Sequence, residues 1–77
     1  MRETDDFTVR LDHNSALVLF ELLARNAQAD RFDVVHEAEH RVLAAIEADL
    51  EAMLVEPLDP NYRALVDDAR RAVTADS

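Results

Sequence analysis

Residues 16–24 read ALVLFELLA, and this stretch decides the fold. It is apolar nearly all round, and its only charged residue, Glu21, can pair with Arg25 one helical turn later. Asp12 is a favourable N-cap, so the pattern predicts a first helix over residues 12–28. A helix with so little polar surface needs cover on more than one side, which indicates an all-α fold with other helices packed around it.

A second helix is predicted over residues 34–55, because Pro57 prevents it from continuing much further. Its start has two interpretations. Asp33 can cap it early, or His36 can be the cap while Glu39 reaches back as in a capping box. The spacing of its apolar residues is typical of an amphipathic helix. Those residues are Val35, Val42, Leu43, Ile46, Leu50, Met53 and Leu54.

The stretch EPLDPNY, residues 56–62, is typical of a helix start. Asp59 can cap the helix, accepting a hydrogen bond from the backbone N–H of Asn61 or Tyr62, and Pro60 suits the first helical position. The pattern predicts a third helix over residues 60–74, with Tyr62 and Leu58 packed inward. The apolar stripe of this helix comprises Tyr62, Leu65, Val66, Ala69 and Val73.

Before the first helix, the stretch FTVRL alternates apolar and polar residues. This alternation predicts a short strand or an extended N-terminal arm over residues 7–11. A single strand cannot form a sheet, so the arm either lies across the helices or pairs with its copy in a second subunit.

Composition limits the possible functions. The 77 residues allow a single domain, residues 1–77. The chain lacks cysteine and glycine, which excludes disulfides, thiolate metal sites and the standard phosphate-binding loops. Its net charge of −9 disfavours nucleic acid and anionic membranes as partners and favours a basic protein. No apolar run is long enough for a membrane span or a signal peptide, so we expect a cytoplasmic protein.

The short chain also predicts self-association. Burying the apolar residues of so small a domain gains about as much free energy as ordering the chain costs. Oligomerisation is the remaining means of stabilisation when no cysteine can form a disulfide, so we predict a homodimer. The interface candidates are Phe7, Val9, Leu17, Phe20 and Leu22.

Residues 36–40 read HEAEH, which matches the H-E-x-x-H pattern of zinc metalloproteases. His36 and His40 share one helical face, but the positions of a third ligand in the extended pattern hold Leu43 and Ile46. The chain is also too short to build a substrate cleft around the helix. We therefore predict no enzyme, no cofactor and no metal site, with His36 and His40 only as adventitious ligands. A zinc hydrolase is the remote alternative.

A strand followed by two helices also resembles the ribbon-helix-helix repressors, whose paired strands enter the DNA major groove. In that interpretation, Thr8 and Arg10 of the arm read bases. The acidic balance of the chain argues against it, because DNA binding depends on neutralising phosphates. A DNA-binding regulator of this kind is therefore the second hypothesis.

Three stretches, ALVLFELLAR, AEHRVLAAIEADLE and LVEPLDPNYRALVDDARRAV, resemble a family of small uncharacterised bacterial proteins of 70–80 residues. The most distinctive shared feature is an E-P-[FL]-D-P-x-Y turn, which falls on Glu56 to Tyr62. The resemblance covers roughly residues 12–74 and implies no activity, cofactor or catalytic residue. The sequence thus predicts a small acidic protein–protein interaction module, homodimeric, and in one version similar to an immunity protein or an antitoxin.

Overall fold

The computed structural model describes residues 6–75, and the fold is all-α as predicted. Helix α1 spans His13–Gln28, α2 spans Glu37–Met53 and α3 spans Tyr62–Thr74. A single 3-10 turn, Glu56–Leu58, separates α2 from α3. Residues 7–11 form an arm outside any helix, and no strand occurs within residues 6–75.

Helix α1 is the centre of the molecule. It packs against both α3 and α2, more extensively against α3, whereas α2 and α3 hardly touch each other. This arrangement follows from the sequence, because α1 is the helix whose apolar residues surround its axis most completely. The buried core comprises Leu17, Phe20 and Leu23 of α1, Leu50 and Leu54 at the end of α2, and Val66 and Ala69 of α3.

Both ends of α1 are closed by local hydrogen bonds. Asp12 is the N-cap, as predicted, and its carboxylate accepts a bond of 2.7 Å from the Ser15 N–H. At the other end Asp30 adopts the left-handed conformation, with φ of 55°. The N–H of Asp30 then bonds to the Ala27 carbonyl and the N–H of Arg31 to the Asn26 carbonyl, which is the Schellman arrangement. An aspartate occupies a position that usually holds glycine, which this chain lacks.

Helix α2 is shorter than the predicted 34–55 at both ends. His36 is its N-cap, and its Nδ1 accepts a bond of 2.9 Å from the Ala38 N–H. The Glu39 carboxylate reaches back and accepts a bond of 2.9 Å from the N–H of Val35, one residue before the cap. This arrangement is similar to the predicted capping box, and the early start at Asp33 is wrong. The helix ends at Met53 because Leu54 turns to extended backbone.

Helix α3 begins at Tyr62, two residues later than predicted. The Asp59 carboxylate accepts the expected bond from the Asn61 N–H, at 2.7 Å, but this bond closes a turn ahead of the helix. Pro60 therefore lies in the turn and not at the first helical position. The prediction that Leu58 packs inward is wrong, because Leu58 ends the 3-10 turn with 91% of its surface exposed.

Candidate interaction surface

Most of α2 is left uncovered by the rest of the chain. Of its 17 residues only Leu50 is buried. Val42, Ile46 and Met53, which the sequence placed in one apolar stripe with Leu50, are exposed by 58%, 40% and 70%. The stripe on α2 is therefore broader than the single helix that packs against it can cover.

The uncovered residues lie on one side of α2. At 100° per residue they span an arc of about 120°, and Leu43 and Leu50, which face α1, lie outside that arc. We call this surface the open face. It comprises Ala38, Val42, Ala45, Ile46, Asp49, Ala52 and Met53, all of them exposed.

The open face continues onto the N-terminal arm. Val9 and Leu11 line a groove together with Leu50, Met53 and Leu54. Val9 is 80% exposed, so the arm flanks this groove without closing it. The C-terminal end of the open face and the arm thus border one groove, whose lining also includes Arg10, Asp12 and His13.

Charges are distributed unevenly around the open face. Asp49 is its only charged residue. Arg41, the only arginine of α2, lies at one edge and forms an exposed i,i+4 ion pair of 2.8 Å with Glu37. Glu47 and Glu51 lie on the opposite side of the helix by the same helical phase. An apolar surface with one central carboxylate and one arginine at its edge is suited to bind another helix.

The HEAEH residues have local structural contacts. His36 Nδ1 accepts the cap bond, Glu39 binds the Val35 N–H, and Glu37 pairs with Arg41. His40 is exposed beside α1. Within residues 6–75 no three His, Cys, Asp or Glu side chains are grouped closely enough to hold a metal ion.

The interface candidates fall into two groups. Leu17 and Phe20 are 2% and 6% exposed and form the core of the single chain, so their assignment to an interface is corrected: α3 and the end of α2 already cover them. Phe7, Val9 and Leu22 are exposed and stay available for a partner. Sequence reasoning missed the open face, although the seven-residue spacing of Ala38, Ala45 and Ala52 next to apolar residues could have indicated it.

Thr8 and Arg10, the base-reading residues of the ribbon-helix-helix hypothesis, are exposed on the arm. Arg10 lines the groove beside α2 together with its neighbours Val9 and Leu11. No strand within residues 6–75 pairs with the arm, and strand pairing between two copies stays a prediction.

Two polar contacts join distant parts of the chain. The Tyr62 hydroxyl donates a hydrogen bond of 2.8 Å to Glu21, which links α3 to α1. Burial, and then the bond to the Glu21 carboxylate, raise the pKa of Tyr62 well above its usual range. His13 Nε2 bonds to the Glu56 carboxylate, and this bond lowers the pKa of Glu56. Both contacts join separate elements of the single chain.

Within residues 6–75, no helix has both the length and the apolar character needed to cross a bilayer. Comparison with known proteins returned no match to a protein-family model, a curated protein or a solved structure. The resemblance carried by the EPLDPNY stretch stays a prediction.

Proposed function

We propose that this protein is a small acidic protein–protein interaction module that binds another polypeptide through the open face of α2. The observation that supports the proposal is the exposure of Val42, Ile46 and Met53 on a helix with only one buried residue. Fully burying a side chain of this kind is worth about 1.5–3 kcal/mol, so leaving several exposed on one side of a helix forgoes much of the stabilisation they could supply. A partner that covers these side chains supplies that stabilisation.

The shape of the surface indicates the kind of contact. The open face is a helix side lined by alanines and flanked by a groove, which suits a second helix laid along it. Burial of Val42 and Ile46 supplies affinity, and the Asp49 carboxylate favours a partner that places a hydrogen-bond donor or a cation opposite it. No step in this function requires a catalytic residue or a bound cofactor.

The remaining acidic surface favours a basic protein as a further partner. Glu51 is exposed and Glu47 half-buried on the side of α2 opposite the open face, and the chain carries a net charge of −9. Such a field attracts a basic protein over a distance and speeds association at low salt. A module of the immunity or antitoxin class, which occludes a basic toxin, is the concrete version of this proposal.

Site-specific photo-crosslinking in the cells that produce the protein tests the proposal. A photoreactive amino acid replaces Val42 on the open face, and a matched control replaces Ala64, which is exposed on α3. We expect covalent adducts with one or a few defined polypeptides from position 42 and none from position 64. The same diffuse background from both positions would contradict the proposal.

A further inference from the structure

We propose that the open face of α2 is covered by α2 of a second copy of this chain, running antiparallel, with the two-fold axis beside Ala45. This inference rests on the proposed function and names the partner of the same surface. It moves the predicted homodimer interface from α1 to α2.

The positions of residues around Ala45 are symmetric. Ala38 lies seven residues before it and Ala52 seven after it; Arg41 lies four before it and Asp49 four after it. In an antiparallel pair, residues equally distant from the axis on opposite sides lie opposite each other. Each Arg41 therefore lies level with Asp49 of the second copy, about 6 Å along the helix from the axis at 1.5 Å per residue, and its long side chain can reach that carboxylate across the alanine seam.

Alanines at the contact allow a close approach of the two helices. Ala45 meets its own copy, and Ala38 meets Ala52, so no bulky side chain separates the helices along the seam. Helix axes approach to the lower end of the 8–10 Å range when the contacting side chains are small. At that separation Val42, about 60° around the helix from Ala45, is covered by the second copy, and Ile46, about 100° from Ala45, borders the contact on the same side.

The central carboxylate selects the orientation of the two copies. Asp49 is costly to bury unless a cation pairs with it, and Arg41 of the second copy supplies that cation. A parallel pair would instead set Asp49 beside Asp49 and Arg41 beside Arg41. Among residues 6–75 Arg41 pairs only with Glu37, and both side chains are more than two-thirds exposed, so this weak pair is readily exchanged.

The charges around the open face favour a second copy of this chain over a basic helix as the partner of this face. The carboxylates of Glu47 and Glu51 point away from the open face, so in an antiparallel pair they lie on the two outer sides. Repulsion across that distance is screened at physiological salt, where the Debye length is about 8 Å. The two close contacts at Arg41 and Asp49 are attractive, so the local charges favour a second copy.

Charge-reversal variants of the full chain test the proposal by analytical ultracentrifugation. Arg41→Asp and Asp49→Arg each place like charges opposite each other in a self-pair. Each variant alone should weaken the dimer by about tenfold or more, because juxtaposed like charges oppose association strongly. Mixed in equal amounts, the two variants should form a heterodimer, because every contact in the mixed pair again joins opposite charges. The double variant R41D/D49R should dimerise like the wild type.

The matched control is Asp33→Arg, which makes the same charge change as Asp49→Arg at an exposed loop position and should leave the dimer intact. The altered residues are all exposed, so every variant should stay helical, and circular dichroism checks this. A wild-type monomer at several hundred micromolar would overturn the inference, and so would weak single variants that fail to pair when mixed. If the wild type is monomeric while position 42 still crosslinks to other proteins, self-association falls and the proposed function stands.

Discussion

Tyr62 shows how one residue connects two helices of this small domain. Its ring packs against the core at the start of α3, and its hydroxyl donates to Glu21 in the middle of α1. Glu21 is the only charged residue in the apolar stretch of α1, so the helix most in need of cover carries one acceptor at the point where α3 crosses it. The contact therefore helps to set where α3 lies on α1.

Replacing Tyr62 by phenylalanine should lower the free energy of unfolding by about 1 kcal/mol near neutral pH, because the bond to Glu21 is lost while the ring stays. Tyr62→Ala should cost about 2–4 kcal/mol, since the packing is lost too. The folded pKa of Tyr62 is raised, so its stabilisation is present below the ordinary value of 10.0 and is lost as the pH rises above it. Denaturation from pH 7 to 11 measures both effects.

The control for this experiment lies within the chain, because Tyr62 is its only tyrosine. Phenolate absorbance in the folded protein therefore reports this residue alone. The difference in stability between the wild type and Tyr62→Phe should shrink above pH 10. A difference that stays constant there, with a tyrosine that titrates normally, would show that the bond to Glu21 is absent in solution.

His13 and Glu56 join the start of α1 to the turn before α3. The Glu56 side chain is 16% exposed; Oε2 bonds to His13, and Oε1 is buried with no hydrogen-bond partner among residues 6–75. The bond from His13 holds the pKa of Glu56 below its ordinary value of 4.5. The resulting stabilisation is present above pH 4.5 and is lost as the pH falls through the lowered value.

We expect His13→Ala to destabilise the protein near pH 6 and to lose less stability than the wild type on acidification to pH 3. The reason is that Glu56 then titrates closer to its ordinary pKa in the folded state. His13→Gln, which keeps a side-chain N–H donor, is the matched control and should behave more like the wild type. Urea denaturation at several pH values measures these differences. Parallel acid profiles for all three proteins would rule out the His13 contact as their cause.

At the level of the helices, the sequence predicted most of the fold and missed some boundaries. Asp12 was identified as a cap because an acceptor stood directly before a strongly apolar run. The start of α3 was placed two residues early because Asp59 forms its expected bond in a turn that precedes the helix. A capping residue and a turn residue use the same local hydrogen bond, so sequence alone does not separate them.

The C-terminal end of α1 offers a direct test of local backbone strain. Asp30 occupies the left-handed region with φ of 55°, where a residue with a Cβ atom is disfavoured and glycine is not. Its carboxylate also lies near the negative end of the helix dipole. Asp30→Gly should therefore raise the free energy of unfolding by about 0.5 kcal/mol, the relief of strain less the extra entropy of glycine in the unfolded chain.

Asp30→Asn and Asp30→Ala separate the two causes. Asparagine removes the charge and tolerates the left-handed conformation, so it should be neutral or slightly stabilising. Alanine removes the charge and keeps the strain, so it should be less stable than glycine by about 1 kcal/mol. Thermal and urea denaturation rank the three variants. Equal stabilities for alanine and glycine would mean that residue 30 leaves the left-handed region in solution.

At the level of the whole molecule, the candidate surface follows from a shortage of cover. The sequence shows that α2 has a broad apolar side, and its spacing predicts an amphipathic helix. Periodicity identifies which residues are apolar, but it does not count the elements available to cover them. Only the packing shows that Leu50 and Leu54 are buried against α1 while α3 packs on another part of α1. Val42 and Ile46 therefore remain exposed.

This arrangement makes α2 the helix that opens most easily. It packs against α1 through few buried residues and hardly touches α3, whereas α1 and α3 share most of the core. Local opening is easiest where few apolar contacts are broken, so amides of α2 should exchange with solvent faster than those of α1. Antiparallel self-association would cover α2 and protect its amides from exchange, to a degree that increases with protein concentration.

Hydrogen exchange measured by mass spectrometry at two protein concentrations tests this prediction. At high concentration the amides of 42–50 should be protected; on dilution their exchange should speed up in proportion to the monomeric fraction and level off at the monomer rate below the dissociation constant. Amides of 17–24 in α1 should change much less, because they are buried within one chain. Arg41→Asp, which disfavours the self-pair, should exchange at every concentration as the diluted wild type does. Protection of α2 that equals that of α1 and does not depend on concentration would mean that the single chain holds α2 firmly without a partner.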